Sequence, residues 1–441
     1  MRNFQKPGRS AVFSENGMCA TSHPLAAQSA INIFQQGGNA MDAAIAGAVL
    51  LGFCEPQMTG LGGDCFVLFS PAGSDDIKAL NGSGHAPQQA SAAELRAQGH
   101  QTVPVASAHA VSVPGAVGAF CQLAQDWGAL GLDQVLAPAI HYAEAGVPVA
   151  PRVALDWQKD QNRLQSDGLR FFLPEGTAPK AGQLFRAPGQ ADVLRRIAKD
   201  GAKAFYEGEV ADDMLQTLRA MGSVHQAEDF ISEKPDYTTP ICGDYKGTEL
   251  VEHPPNAQGA TAILMLNMLS HFNLSGLDPF GAQRTHIEAE IAKLAYNARN
   301  RFIADPRHMA REDYLTDPKT ATALAALVNP SSVIQAVDRI TETVHKDTIY
   351  ITVVDKDRMA VSLIYSIFNG FGSGIASEKF GILFQNRGAG FNLTPGHPNE
   401  LGGGKRPMHT IIPGMLRQDQ SRLMPFGVMG GQYQSNGHTR F

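Results

Sequence analysis

Residues 347–366 read DTIYITVVDKDRMAVSLIYS, and this stretch decides the architecture. β-Branched and aromatic residues fill both halves, the composition of a half-buried pleated surface. The pattern predicts two strands, Thr348–Val354 and Ala360–Ser366, joined by a turn at Asp355-Lys-Asp-Arg358. In an antiparallel hairpin of these lengths Ser366 returns beside Thr348. Two hydroxyl side chains then meet at the open end of the hairpin.

The residues before Thr348, Asp338 to Asp347, are mostly polar and read as a surface connector. A threonine there can attack the carbonyl that precedes it. If that peptide bond breaks, one residue carries both a hydroxyl nucleophile and an amine base. An amine of near-neutral pKa can take the hydroxyl proton without a separate histidine. Ser366 is placed to polarise the same hydroxyl. Gly430-Gly431 offers two unhindered backbone N–H groups, suited to an oxyanion hole. An ordinary strand threonine and an ordinary glycine turn are the plain alternatives, and the pattern by itself leaves both open.

Outward from the hairpin, the upstream chain reads as helix. Pro24 onward has an apolar face through Ala26, Ala27, Ala30, Ile31, Ile33 and Phe34, and Gly37-Gly-Asn39 stops it. A second helix, Ala40 to Gly52, is small and apolar on nearly every side, which calls for close neighbours all round. Asp42, near its start, reads as a cap. A glycine loop, Thr59-Gly-Leu-Gly-Gly63, precedes a short strand at Cys65–Phe69. The middle, Leu123 to Arg301, reads as mostly helical. One helix is expected to start at Leu136-Ala-Pro-Ala-Ile140, and another runs from His286 to Phe302. A looser one spans Ala321–Val337. Helices followed by a hairpin-rich C-terminal part fit a layered α+β fold.

Composition excludes several classes. The chain is 43% hydrophobic and 18% charged with a net charge of −6, so nothing draws it to nucleic acid or an anionic membrane. Its longest apolar run, Ala43–Phe53, is far short of a membrane span. Five cysteines, an odd number with no CxxC pair, argue against a disulfide framework and for reduced thiols in a cytoplasm. Met1–Phe13 has no apolar core of a signal peptide. Gly60-Leu-Gly-Gly63 lacks the Lys-Ser/Thr of a phosphate loop, and the 14 histidines show no metal spacing. His109, His141 and His286 read as structural, and neither a cofactor nor a metal is expected.

The same residues resemble the γ-glutamyltranspeptidase family. Asp347-Thr-Ile-Tyr-Ile-Thr-Val-Val-Asp-Lys-Asp357 is similar to that family's processing block. Gly372-Ser-Gly-Ile375, Gly381-Ile-Leu383, Gly403-Gly-Lys-Arg-Pro407 and Gly430-Gly431 continue the likeness downstream. Upstream, Gly37-Gly-Asn-Ala-Met-Asp-Ala-Ala44, Gly60-Leu-Gly-Gly63, Val113-Pro-Gly115 and Ala204-Phe-Tyr-Glu-Gly208 do the same. Asp229-Phe230 with Asp236-Tyr237, and His286 to Arg299, fill in the middle. The resemblance implies a threonine-type N-terminal-nucleophile hydrolase with a four-layer αββα sandwich. It implies Thr348 as nucleophile in self-cleavage and turnover, supported by Ser366, with Gly430 and Gly431 as oxyanion donors. Self-cleavage would divide the single αββα domain into a large subunit, residues 1–347, and a small one, residues 348–441. The two would form a heterodimer, with further oligomerisation open. Family chains continue past Gly430-Gly431, so the C-terminus is expected to be incomplete.

The departures from the family pattern bear on the substrate. Ser83 stands where the family has an Arg that grips an α-carboxylate. Gly390 stands where it has an acid for the α-amino group, and His409-Thr410 replaces a serine pair. Arg387 adds a guanidinium fork that can hold a carboxylate alone. These charge changes suit a small acid amide without an α-amino group, as in the oxamate amidohydrolase branch of purine degradation. Arg387 would bind the carboxylate, with His409, Thr410 and Ser83 lining the pocket; an arginine that only bridges loops is the plain alternative. Two alternatives stand: a γ-glutamyltransferase or glutathione hydrolase, and a non-enzymatic relative that only binds or supports.

Overall fold

The computed structural model describes residues 10–311, 313–335, 348–418 and 422–441. Among the described residues twelve strands follow one another. The first three are β1 (Gly17–Thr21), β2 (Asp64–Ser70) and β3 (Lys78–Gly82). A two-residue ribbon, β4 (Val147–Pro148) with β5 (Leu184–Phe185), comes next. Then come β6 (Asp236–Thr238), β7 (Ile241–Tyr245) and β8 (Thr248–Glu252). Last are β9 (Ile349–Asp355), β10 (Ala360–Ser366), β11 (Gly414–Gln418) and β12 (Arg422–Phe426).

The strands form two main antiparallel sheets. One has the order β1-β9-β10-β2-β3-β6, the other β12-β11-β8-β7. The hairpin read from the sequence is therefore central in the six-stranded sheet, flanked by β1 and β2. Its turn is held by Asp355, whose Oδ1 accepts the Asp357 and Met359 amides. Alternation explains why these strands are sandwiched. Ile349, Ile351, Val353, Val361, Leu363 and Tyr365 point into one apolar core with the helices Pro24–Gln35, Ala40–Cys54 and Ala116–Trp127. On the opposite face, Ile364 packs with Phe66, Ile411 and Ile412, and Ala360 with Leu68, Val251 and Met415, between the sheets. The helices Gly259–Leu269, Ala282–Phe302 and Pro318–Ala325 gather a further core beyond the second sheet. The layers run helix, sheet, sheet, helix: the expected α+β sandwich.

The helix Ala40–Cys54 is buried at every position, which explains its apolar circumference. Asn39 and Asp42 form a capping box at its start. Asp42 also accepts the Ala129 amide at 2.9 Å, so the cap fastens the helix to the loop after Trp127.

The middle of the chain is mostly helical, and β6, β7 and β8 also arise there and supply the far edge of one sheet and half of the other. Two expectations need correction. A helix does not begin at Leu136; it runs Leu132–Ala145 with Pro138 inside it. The looser helix ends at Ala325. The connector Asp338–Asp347 lies outside the described residues.

Candidate active site

Side-chain parity sets which groups meet at the hairpin's open end. Tyr365 pairs with Ile349, so the next residues outward, Ser366 and Thr348, face each other. Both share the face of Ile364 and Tyr350, which looks into the space between the sheets. Thr348 Oγ1 donates to Ser366 Oγ at 3.3 Å, and both residues are buried. Gly63 makes room beside them, because a Cβ there would lie 2.7 Å from the Ser366 carbonyl.

Arg387 joins this pair from a short 3-10 turn, Arg387–Gly390. Its Nη2 donates to Ser366 Oγ at 3.5 Å and its Nη1 to Thr410 Oγ1 at 3.1 Å. The guanidinium is fully buried and lies 4.1 Å from the Phe368 ring centroid. Thr410 is tied in turn to the glycine pair. Gln258 Nε2 donates to the Thr410 carbonyl at 2.6 Å and to the Gly431 carbonyl at 3.0 Å. Arg299 Nη1 donates to Gln258 Oε1 at 2.7 Å and holds that amide in place. A chain of contacts thus runs Thr348, Ser366, Arg387, Thr410, Gln258, Gly431.

Gly430 and Gly431 have φ of 128° and 57°, a conformation that glycine adopts without strain. They precede the helix Tyr433–Arg440, and their carbonyls accept the Tyr433 and Gln434 amides at 3.1 Å each. The segment reaches this place because β12 crosses the hairpin. The Pro425 carbonyl accepts from Thr352 at 3.3 Å and the Phe426 carbonyl from Ser362 at 3.2 Å.

His409 and Ser83 belong to a polar group behind Thr410. His409 Nε2 lies 2.9 Å from Asp64 Oδ2, and its Nδ1 lies 3.2 Å from Asn256 Nδ2. Burial, and then the Arg387 charge, holds the imidazole pKa down to about 4, so the ring is neutral at pH 7. The ring thus has a carboxylate oxygen beside Nε2, and the Pro407 carbonyl at 2.8 Å together with the Asn256 amide beside Nδ1. Ser83 Oγ donates to Asn81 Oδ1 at 2.6 Å and accepts from Asn256 Nδ2 at 3.1 Å. Its hydroxyl is engaged in this wall rather than turned to Thr348.

Asp64 ties the wall to the strands. It is paired with Ser366 across β2 and β10 and points to the same face. Its Oδ1 accepts the Gly84 and Gly115 amides at 2.9 Å and 3.0 Å. Sequence reading missed Asp64, Asn81, Asn256 and Gln258. Asp64 left a trace: a carboxylate at the head of an otherwise apolar strand, on the inter-sheet parity. Asn81 lies in the short strand β3, Asn256 in a loop and Gln258 at a helix cap, where no periodicity marks them.

A Cβ at Gly390 would lie 2.5 Å from the Met408 carbonyl, so backbone fills the space beside it. No helix among the described residues is long and apolar enough to cross a membrane.

A sandwich of two antiparallel sheets between helical layers, with a threonine at the head of a central strand, defines an N-terminal-nucleophile hydrolase. The sequence matches the gamma-glutamyltranspeptidase description over residues 26–441, and the chain belongs to that family. It is 33% identical over 434 residues to the oxamate amidohydrolase proenzyme of Klebsiella pneumoniae, covering 96% of this chain and 81% of that protein. It is 32% identical over 433 residues to the glutathione hydrolase-like YwrD proenzyme of Bacillus subtilis, covering 97% and 81%. The crystal structure of cephalosporin acylase from Bacillus halodurans superposes with a TM-score of 0.89 at 36% identity, covering 100% of this chain and 82% of that one. The chain is accordingly a hydrolase of the N-terminal-nucleophile class.

Proposed function

We propose that the chain cleaves itself ahead of Thr348 and then hydrolyses a small acid amide such as oxamate. In maturation the Thr348 hydroxyl attacks the residue-347 carbonyl. The amide becomes an ester, and water releases the large subunit, residues 1–347, from a small subunit that begins at Thr348. In turnover the Thr348 amine takes the hydroxyl proton as Oγ1 attacks the substrate amide. The C–N bond breaks and the proton leaves with ammonia. Water then hydrolyses the acyl ester, giving the diacid and restoring the hydroxyl. Ser366 steadies Oγ1, and the Gly430 and Gly431 amides supply donors for the oxyanion.

The observation that carries the substrate reading is the position of Arg387. Its Nη2 reaches Ser366 in 3.5 Å, and Ser366 reaches Thr348 Oγ1 in 3.3 Å, which caps their separation at about 6.8 Å. A reacting carbonyl sits ~3–3.5 Å from its nucleophile, and a guanidinium–carboxylate bond spans ~2.8 Å. What remains fits a carboxylate joined directly, or nearly so, to the scissile carbonyl. A γ-glutamyl head places its carboxylate several carbons further out and adds an ammonium, and at Gly390 there is backbone in place of an acid. The Klebsiella relative's name points the same way.

Hydrolysis of γ-glutamyl compounds is the second reading, favoured by the name of the Bacillus subtilis relative. The purified protein assayed on oxamate, glutaryl amides and γ-glutamyl-p-nitroanilide separates the two. Arg387→Met should lower kcat/KM on oxamate by roughly 10- to 100-fold, as expected for loss of a charged hydrogen bond. An unchanged value removes Arg387 from substrate binding. Turnover of γ-glutamyl-p-nitroanilide alone supports the second reading.

A further inference from the structure

Phe368 has a backbone conformation that its side chain disfavours. Its φ is 81°, in the left-handed region, where a bulky residue is strained and glycine is not. Strain of this kind persists where the surroundings fix the residue for another purpose. Two contacts show that purpose. The Phe368 N–H donates to Ser366 Oγ at 2.9 Å. The Phe368 ring, on a residue only 3% exposed, carries the Arg387 guanidinium 4.1 Å from its centroid. The same guanidinium donates to Ser366 Oγ. Phe368 therefore touches both the hydroxyl that meets Thr348 and the cation beside it.

The loop around it is built to hold this turn. Ile367 N–H donates to the Met58 carbonyl at 3.2 Å, and Asn369 N–H donates to Asn386 Oδ1 at 3.2 Å. Asn386 immediately precedes Arg387, so the residue on each side of Phe368 is anchored, one of them to the arginine's own turn. A guanidinium over an aromatic face is attracted by the ring quadrupole while its in-plane N–H groups stay available. Here two of them aim at Thr410 and Ser366.

We infer that Phe368 is a positioning residue. It aims the Arg387 fork and so sets the enzyme's preference for an acid amide over its neutral counterpart. This inference rests on the reading of Arg387 as the carboxylate ligand. Glycine in place of Phe368 would relieve the backbone and lose the aim.

The test compares oxamate with oxamide, which differ in having a carboxylate or a second neutral amide. Ammonia release is measured for the parent, Phe368→Leu, Phe368→Tyr and Arg387→Met, with folding checked by circular dichroism. Phe368→Leu should raise the oxamate KM about tenfold and the oxamide KM by much less, so that the oxamide-to-oxamate ratio falls, and Phe368→Tyr should restore the preference. Fluorinated phenylalanines at position 368 keep shape and backbone while weakening the ring face, and the oxamate KM should climb with each fluorine. That series decides the matter if the leucine variant does not fold. If Arg387→Met abolishes the preference while Phe368→Leu and the fluorinated series keep it, the positioning role is wrong and the Arg387 reading stands. If Arg387→Met keeps the preference, the Arg387 reading falls, and this inference with it.

Discussion

Asp64→Ala is the perturbation with the largest consequence for the wall of the site. Asp64 is fully buried and accepts from three donors: the Gly84 amide, the Gly115 amide and His409 Nε2. Alanine leaves all three buried without their acceptor. Each orphaned donor costs ~1–3 kcal/mol, so the total is about 5 kcal/mol. That is a large share of the ~5–15 kcal/mol that separates most native proteins from unfolding. Asp64→Asn keeps one oxygen for the two amides and should cost about 1–2 kcal/mol, mainly at His409. Urea unfolding followed by tryptophan fluorescence and circular dichroism measures both. The expected order is parent, then asparagine, then alanine, with alanine strongly destabilised or failing to accumulate. An alanine variant that unfolds within about 1 kcal/mol of the parent would refute the network as described.

Gln258→Ala cuts the tie between the Thr410 and Gly431 carbonyls and should lower kcat by about 10- to 100-fold, with a smaller change in KM; steady-state kinetics on oxamate checks this. His225 is fully buried, and burial followed by the Arg219 charge lowers its pKa to about 3 from an ordinary 6.5. Unfolded chains therefore bind a proton that the folded protein refuses between those pH values. The parent should lose ~1.4 kcal/mol per pH unit relative to His225→Phe as pH falls below about 6.5, and parallel denaturation curves at pH 7 and pH 5 test it.

Legibility from sequence followed the physics of each element. The hairpin β9–β10 and the helix Ala40–Cys54 declared themselves because their composition is continuous over many residues. β6, β7 and β8 did not. Ile241–Tyr245 reads ICGDY and Thr248–Glu252 reads TELVE, short segments whose pairing comes from tertiary partners rather than propensity. Thr348 and Ser366 could be brought together by hairpin register alone. The meeting of Arg387 with Ser366, and of His409 with Asp64, depends on loops returning from 21 and 345 residues away, which no local pattern encodes. Family resemblance placed Arg387, His409, Thr410 and Ser83 near one another, but not that Ser83 turns its hydroxyl to Asn81 and Asn256. Phe368 escaped notice because its strain is visible in the backbone angle and nowhere in the sequence.

N-terminal sequencing and intact mass of the purified protein, beside a Thr348→Ala variant, go to the centre of the matter. The parent should yield a fragment whose first residue is Thr348, and the variant should remain a single chain without amide hydrolysis. Cleavage at another bond, or a variant that still divides and releases ammonia, would contradict a nucleophile at Thr348.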